Sequence, residues 1–320
     1  MTRPGLELGL PADQTIEIQP ASPFRLDLTA WVLRRRSHNQ TDFWDSSSAR
    51  YRRSLVLDGA PSVLVVSQSG GPDAAIVQAT VSGANTGTDA LGEARSALVR
   101  ILGLNLDMSG FERMATSDPD IAPIARSMRG VRPPRLPTVF EALVNGVACQ
   151  QLSLEVGIHL LNRLTATFGL PVDGPTGGVP VFPGPEELAS VDPEEIKQLG
   201  FSFSKARTIV EAAQATVTGD LDLEGTEDLD DSDAFEALTS LWGIGRWTAE
   251  YVMLRGLGRV HIFPGDDIGA HNKLRQLLGV DGELTYQRVQ DLVSRWNPYA
   301  GLVYFHLLLD SLARDEIIEP

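Results

Sequence analysis

A mostly α-helical protein with an N-terminal α+β lobe is what this 320-residue sequence predicts, and three observations carry the prediction. β-Branched segments punctuated by turn dipeptides fill residues 53 to 81, the signature of short strands. Beyond residue 110 the text changes to apolar residues at helical spacing, interrupted by proline and glycine. A hydrophobic content of 42% is enough for a substantial core divided into two or three lobes.

In chain order, FRLDLT (ending at Thr29) alternates apolar and polar residues and reads as a first strand. RSLVLDGAPSVLVVSQSGGPDAAIVQATV follows at 53–81, with Asp58-Gly59 and Gly70-Gly71 as the turns between strands. A helix is expected from Asp89 to Leu102, where Leu91, Ala94, Leu98 and Leu102 share one face. Helical patterns then run over 139–169 and 192–200. PVDGPTGGVPVFPGP at 171–185 cannot hold a helix or a central strand and should be a surface connection. No internal repeat and no low-complexity tail stand out.

Composition excludes several classes. No apolar run approaches the roughly 18 residues of a membrane span, and the amino end lacks a signal peptide's apolar core, so a cytoplasmic protein is expected, nucleoid-associated if prokaryotic, with no membrane partner. Cys149 is the only cysteine, which rules out disulfides and cysteine-held zinc or iron-sulfur centres within the chain. A small buried hydrophobe is its expected role. His38, His159, His261, His271 and His306 show no ligand spacing such as HExxH, and no transition metal is expected. The net charge of -15 argues on average against a polyanionic partner. Much of the excess sits in one run at 219–236, expected to be a solvated loop entering a helix. The basic clusters Arg34-Arg35-Arg36, Arg50/Arg52/Arg53 and Arg126/Arg129/Arg132/Arg135 read as solvated faces.

The chemistry-bearing stretch is LWGIGRWTA at 241–249. AFEALTS ends one helix, RWTAEYVMLRGL starts another, and Gly243 and Gly245 bracket an apolar Ile244 that can plug inward. The first amides of the second helix are then unpaired, with the positive end of the helix dipole behind them, an anion site that needs no basic side chain. Taken alone, Gly-x-Gly is an ordinary turn in many proteins. Trp247 and Tyr251 lie four apart and share a helical face, as core or as a stacking surface. Asp266 and Asp267 follow, and Asp267 precedes IGAHNKLRQLLG, where an N-cap is the ordinary role.

LWGIGRWTAEYVMLRG followed by a proline and the aspartate pair resembles the helix-hairpin-helix, Gly/Pro...Asp superfamily of DNA glycosylases. The RWTA variant is similar to its DNA-3-methyladenine glycosylase II family. RPPRLPTVFEALVNGVACQQLS at 132–153, the text at 182–213 and the N-terminal FRLDLTAWVLRRR extend the likeness. The resemblance implies a sheet-containing lobe (1–107), a helical lobe carrying the aspartate (108–134 and 263–320) and a helical lobe carrying the hairpin (135–262), with a DNA-binding cleft between the helical lobes. It implies excision of alkylated bases from double-stranded DNA, by a monomer, with no cofactor required. Asp267 is then the catalytic carboxylate. Set about 4 Å from a developing sugar cation, it is worth roughly 4 kcal/mol at an effective dielectric of 20. Trp247 and Tyr251 would form the base pocket, with Trp31 (or Val32, if the alignment shifts by one) completing the wall. Gly243, Ile244, Gly245, Arg246 and Thr248 would hold the DNA backbone, and Gln151 would enter the vacated base stack. The carbonyls of Thr239, Leu241 and Ile244 would hold a structural Na+ or K+. Trp247 stands where bifunctional relatives carry a nucleophilic lysine, so a monofunctional enzyme using water is expected.

Three positions depart from the family pattern: Trp242 for a proline, Ala300 for an arginine and Leu308 for a pocket tryptophan. Competing readings are a non-catalytic DNA-binding module, a glycosylase for other damaged or mismatched bases, and a helical protein-interaction scaffold.

Overall fold

The computed structural model describes residues 14–83, 88–172 and 178–319. Strands β1 (Gln14–Ile18), β2 (Phe43–Asp45), β3 (Arg50–Leu57), β4 (Ala60–Ser69) and β5 (Ile76–Gly83) form an antiparallel sheet in the order β1-β5-β4-β3-β2. Asp58 and Gly59, both at positive φ (48° and 68°), close the β3–β4 hairpin with Leu57 opposite Ala60, a turn whose hand matches strand twist. The sequence pattern missed β1, although Ile16 and Ile18 alternate inward along it, and the three-residue β2, which is too short for alternation to show.

FRLDLT is not a strand. Its second half enters helix α1 (Leu26–Arg34), in which every residue except Asp27 is buried. Six alternating residues cannot fix a period, and Leu26, Ala30 and Leu33 continue the pattern at helical spacing. Apolar on nearly all sides, α1 is a central element, packed against β2, β3, α2 (Thr88–Leu102) and the last helix, α14 (Ala300–Arg314).

The remaining helices are α3 (Ser109–Ser117), α4 (Ala122–Ser127), α5 (Val139–Cys149), α6 (Leu154–Phe168), α7 (Pro185–Leu188), α8 (Pro193–Gln198), α9 (Phe203–Thr218), α10 (Asp231–Ser240), α11 (Arg246–Arg255), α12 (Ile268–Leu278) and α13 (Tyr286–Val293). Side-chain oxygens of Thr138, Ser153, Asp192, Ser202, Asp230, Asp267 and Thr285 cap seven of these starts, each satisfying an otherwise orphaned amide. α5 is wholly buried and packs against α6, α9 and α11, while α14 packs against α4, α12 and α1. The helical pattern at 139–169 is thus two helices, broken at Gln150–Ser153. Of the loop at 171–185, residues 173–177 lie outside the described residues, and Pro185 already opens α7.

The basic clusters are solvated only in part: Arg50, Arg126 and Arg129 are exposed. Arg34, Arg35, Arg53 and Arg132 are buried. Arg53 pairs with Asp42 at 2.6 Å and with Glu141 of α5, fastening the sheet to the helices. Arg132 donates to the carbonyls of Leu106, Ala21 and Pro23. The acidic run is also partly structural. Glu224 accepts from the amides of Val139 and Phe140, and Glu227 pairs with Arg100 and Arg135.

Candidate active site

The site is built on the 241–245 hairpin between α10 and α11. Gly243 turns the chain at φ +81°, and a Cβ there would lie 2.2 Å from the Thr208 hydroxyl, so only glycine fits. Ile244 is buried, and its amide donates to the Leu241 carbonyl at 3.2 Å. Gly245 caps α11 in extended backbone without a side-chain bond. The first bond within α11 runs from Ala249 N to Gly245 O, which leaves the amides of Arg246, Trp247 and Thr248 without helical acceptors. The Thr248 side chain faces inward, 2% exposed, and accepts from Gln150; only its amide is available to an anion.

Gln150 ties this hairpin to the α5–α6 corner. Its side-chain amide donates to the Gly243 carbonyl (3.1 Å) and to Thr248 Oγ1 (2.8 Å). Lys205 Nζ holds the same corner through the carbonyls of Ala148 and Gln150. The corner presents Gln151 to solvent at φ +53°. A left-handed non-glycine residue costs of order 1–3 kcal/mol and persists where its surroundings impose it.

Asp267 lies beside the hairpin helix. Its Oδ1 accepts from Ala270 N at 2.8 Å as the N-cap of α12. Its Oδ2 accepts from Tyr304 Oη at 2.9 Å and from Trp247 Nε1 at 3.3 Å. The capping role and the site role therefore coexist, one on each oxygen. Burial, and then the neighbouring Asp267 charge, push the Tyr304 hydroxyl well above the usual phenol range, so it stays a donor. Asp266 instead pairs with the exposed Arg246 at 2.9 Å. The Arg246 guanidinium also lies 4.0 Å from the centroid of the Tyr286 ring. Glu250, on α11, accepts from Gly265 N (3.0 Å) and Tyr286 Oη (2.6 Å), pinning the chain just before the aspartates. Burial raises its carboxyl above the usual range.

Trp247 and Tyr251 do meet, with ring centroids 5.5 Å apart at 33°. Tyr251 stands behind, 3% exposed, so Trp247, only half-buried, presents the open face. Just past the end of α1, the buried Arg35 donates to Tyr251 Oη (2.8 Å) and to Asn145 Oδ1 (2.6 Å). Arg255 donates to the Val32 carbonyl at 3.1 Å and lies 5.6 Å from the Tyr251 ring centroid. Trp31 is buried under the Arg34 guanidinium, 4.8 Å from its ring centroid, and Val32 is fully buried. Neither side chain offers an open surface.

The fold thus brings Asp267, Trp247, Tyr251, the hairpin and the Gln151 corner together. The sequence reading missed Tyr304, Gln150, Glu250 and Arg35. Tyr304 had a signal: it lies one turn before Leu308 on α14, so the aromatic absent at 308 has a counterpart on the same helix face.

A model of the HhH-GPD superfamily of base excision DNA repair proteins matches residues 144–298. The DNA-3-methyladenine glycosylase of Bacillus subtilis is 29% identical over 204 residues, 64% of this chain and 67% of that protein. DNA-3-methyladenine glycosylase 2 of Escherichia coli is 28% identical over 178 residues, 56% of this chain and 60% of that protein. A Mycobacterium tuberculosis relative, a probable bifunctional transcriptional activator/DNA repair enzyme, is 30% identical over 209 residues but is spanned over only 40% of its length. The solved 3-methyladenine DNA glycosylase of Archaeoglobus fulgidus superposes with a TM-score of 0.80 at 26% identity, covering 92% of this chain and 97% of that one.

Proposed function

We propose a function from one premise: the chain belongs to the HhH-GPD superfamily of base excision DNA repair proteins. The protein is a DNA glycosylase that removes alkylated bases of the 3-methyladenine type from double-stranded DNA by hydrolysing the N-glycosidic bond. The observation that carries this reading is the placement of Asp267 Oδ2 between Trp247 Nε1 and Tyr304 Oη, beside a helix start with free amides.

Flipping a base out of the duplex costs a few kcal/mol. The amides of residues 246–248 hold a phosphate, Gln151 fills the vacated stack, and the open face of Trp247 stacks the extruded base. A cationic alkylpurine over that ring gains roughly 0.5–2 kcal/mol. The bond from sugar C1′ to the base nitrogen then breaks, and the base leaves with the electron pair. Asp267, oriented by three donors, stabilises the sugar cation. Water adds its oxygen to C1′, its proton passes to Asp267 or to solvent, and an abasic sugar remains.

A monofunctional reaction fits Trp247, whose indole nitrogen is committed to Asp267 and offers no amine. A single chain acts alone, its sheet lobe at 1–107 supporting two helical lobes, and needs no cofactor for the chemistry. A structural Na+ or K+ on the carbonyls of Thr239, Leu241 and Ile244 fits the end of α10, where the last carbonyls lack helical donors and Leu241 keeps a second lone pair beside its bond to Ile244.

Base release from methylated duplex, measured for the wild type and Asp267→Asn, tests the reading. Loss of about three powers of ten in the variant with DNA affinity retained supports it. Binding without release in both would make the protein a DNA-binding module instead.

A further inference from the structure

We propose that His38, Glu155 and His159 form a divalent metal site, of the zinc class, that clamps the segment after α1 onto α6. Sequence spacing shows only the Glu155–His159 pair, four apart on α6, because His38 lies 117 positions from Glu155. Among the described residues these three form a group whose ligand atoms all fall within 4.8 Å of one another. His38 Nδ1 is 3.3 Å and His159 Nε2 is 3.7 Å from the same carboxylate oxygen, Glu155 Oε1. Ligands around a tetrahedral zinc, at about 2.0–2.2 Å from the ion, sit about 3.4 Å apart. Two of the three separations are thus near the required value. The third closes by rotation of His159, whose side chain is 51% exposed.

The hydrogen bonding of His38 calls for a cation at this point. Its Nε2 lies 3.2 Å from the Glu155 carbonyl oxygen, and a carbonyl only accepts, so Nε2 carries the proton. In the neutral ring Nδ1 is then a bare lone pair, aimed at a carboxylate oxygen. Two acceptors face each other, and either a second proton or a metal ion must lie between them. The His159 ring stacks on His38 at 4.0 Å and 20° and approaches the same oxygen, and its rotation out of the stack would bring both imidazoles to one ion. A metal satisfies both imidazoles and Oε1 together. Meanwhile Arg36 Nε, 3.7 Å from Oε2, attends the other oxygen. The Nε2 bond to a backbone carbonyl is the outer-shell contact that orients metal-bound histidines.

The neighbouring contacts show what the clamp would hold. Asn162 of α6 donates to the His38 carbonyl (2.8 Å) and accepts from Gln40 N (3.1 Å). Arg35, the partner of Tyr251, is three residues before His38, and Glu155 is four after Gln151. The metal would therefore stiffen the corner that presents Gln151 and the segment that supports Tyr251.

Untagged full-length protein, stripped with chelator and titrated with zinc chloride in a calorimeter at pH 7.5, tests this. One zinc per chain is expected, with a rise in melting temperature. Affinity should fall at least tenfold in His159→Gln and in Glu155→Gln. His261→Gln, which alters the separate His261–Asp231 pair, should bind as the wild type does. Cobalt in place of zinc should give the visible bands of a tetrahedral nitrogen–oxygen site, lost in His38→Gln. No stoichiometric zinc uptake by the wild type, or equal uptake in His159→Gln, overturns the proposal. The outcome is independent of whether any base is excised.

Discussion

Tyr304 donates its hydroxyl to Asp267 Oδ2 at 2.9 Å, on the same oxygen that receives the Trp247 indole N–H. The carboxylate is thus gripped from α11 and from α14, and its position depends on both. A hydrogen bond to a charged group is worth about 1.5–3 kcal/mol. Tyr304→Phe should therefore slow single-turnover base release by roughly ten- to a hundredfold while leaving duplex affinity unchanged. An unaltered rate would show that α14 plays no part in placing Asp267.

Trp247 has two separable duties, a ring face and an N–H donor. Trp247→Phe keeps the first and removes the second, so it should retain part of the activity that Trp247→Ala loses. Comparing substrate affinity with the chemical rate in the two variants distinguishes the roles. If the proposed monofunctional reaction holds, borohydride added during turnover should trap no protein–DNA adduct in any of these proteins.

Gly243→Ala meets two obstacles, a left-handed backbone (φ +81°) and the Thr208 hydroxyl 2.2 Å from the new carbon. Loss of a few kcal/mol in urea denaturation is expected, together with weakened DNA binding. Adding Thr208→Ala should recover the steric part and leave the backbone part. Complete recovery would mean that the turn tolerates a side chain.

Burial lowers the His306 imidazole from 6.5 to about 4. The unfolded chain takes up the proton more readily, so this residue's contribution is fully present above pH 6.5 and is lost as pH falls towards 4. The shift corresponds to about 3 kcal/mol. Urea midpoints measured across that window should fall for the wild type and fall less steeply for His306→Gln.

Local signals made the elements of the candidate site legible. The Gly-x-Gly turn, the helix start after Asp267 and the four-residue spacing of Trp247 and Tyr251 are each written within a few neighbouring residues. The misreadings are of another kind. FRLDLT looked like a strand because its alternation was judged without the continuation at Ala30 and Leu33. Arg35 looked solvated because its partners, Tyr251 and Asn145, are 216 and 110 positions away. Tyr304 was overlooked for the same reason, being 37 positions from the carboxylate it holds. What sequence conceals here is the set of side chains that converge from distant elements.

The bonds from α1 and the residue just past its end to Tyr251 and Arg255 bear on how far this protein can be trimmed. Deleting the sheet-bearing portion to obtain a miniature enzyme would pull a guanidinium from beneath the aromatic wall and strip Arg255 of its backbone acceptor. The wall would lose its foundation even though every residue proposed to touch DNA remained, so the amino-terminal lobe is a support of the candidate site rather than an appendage to it.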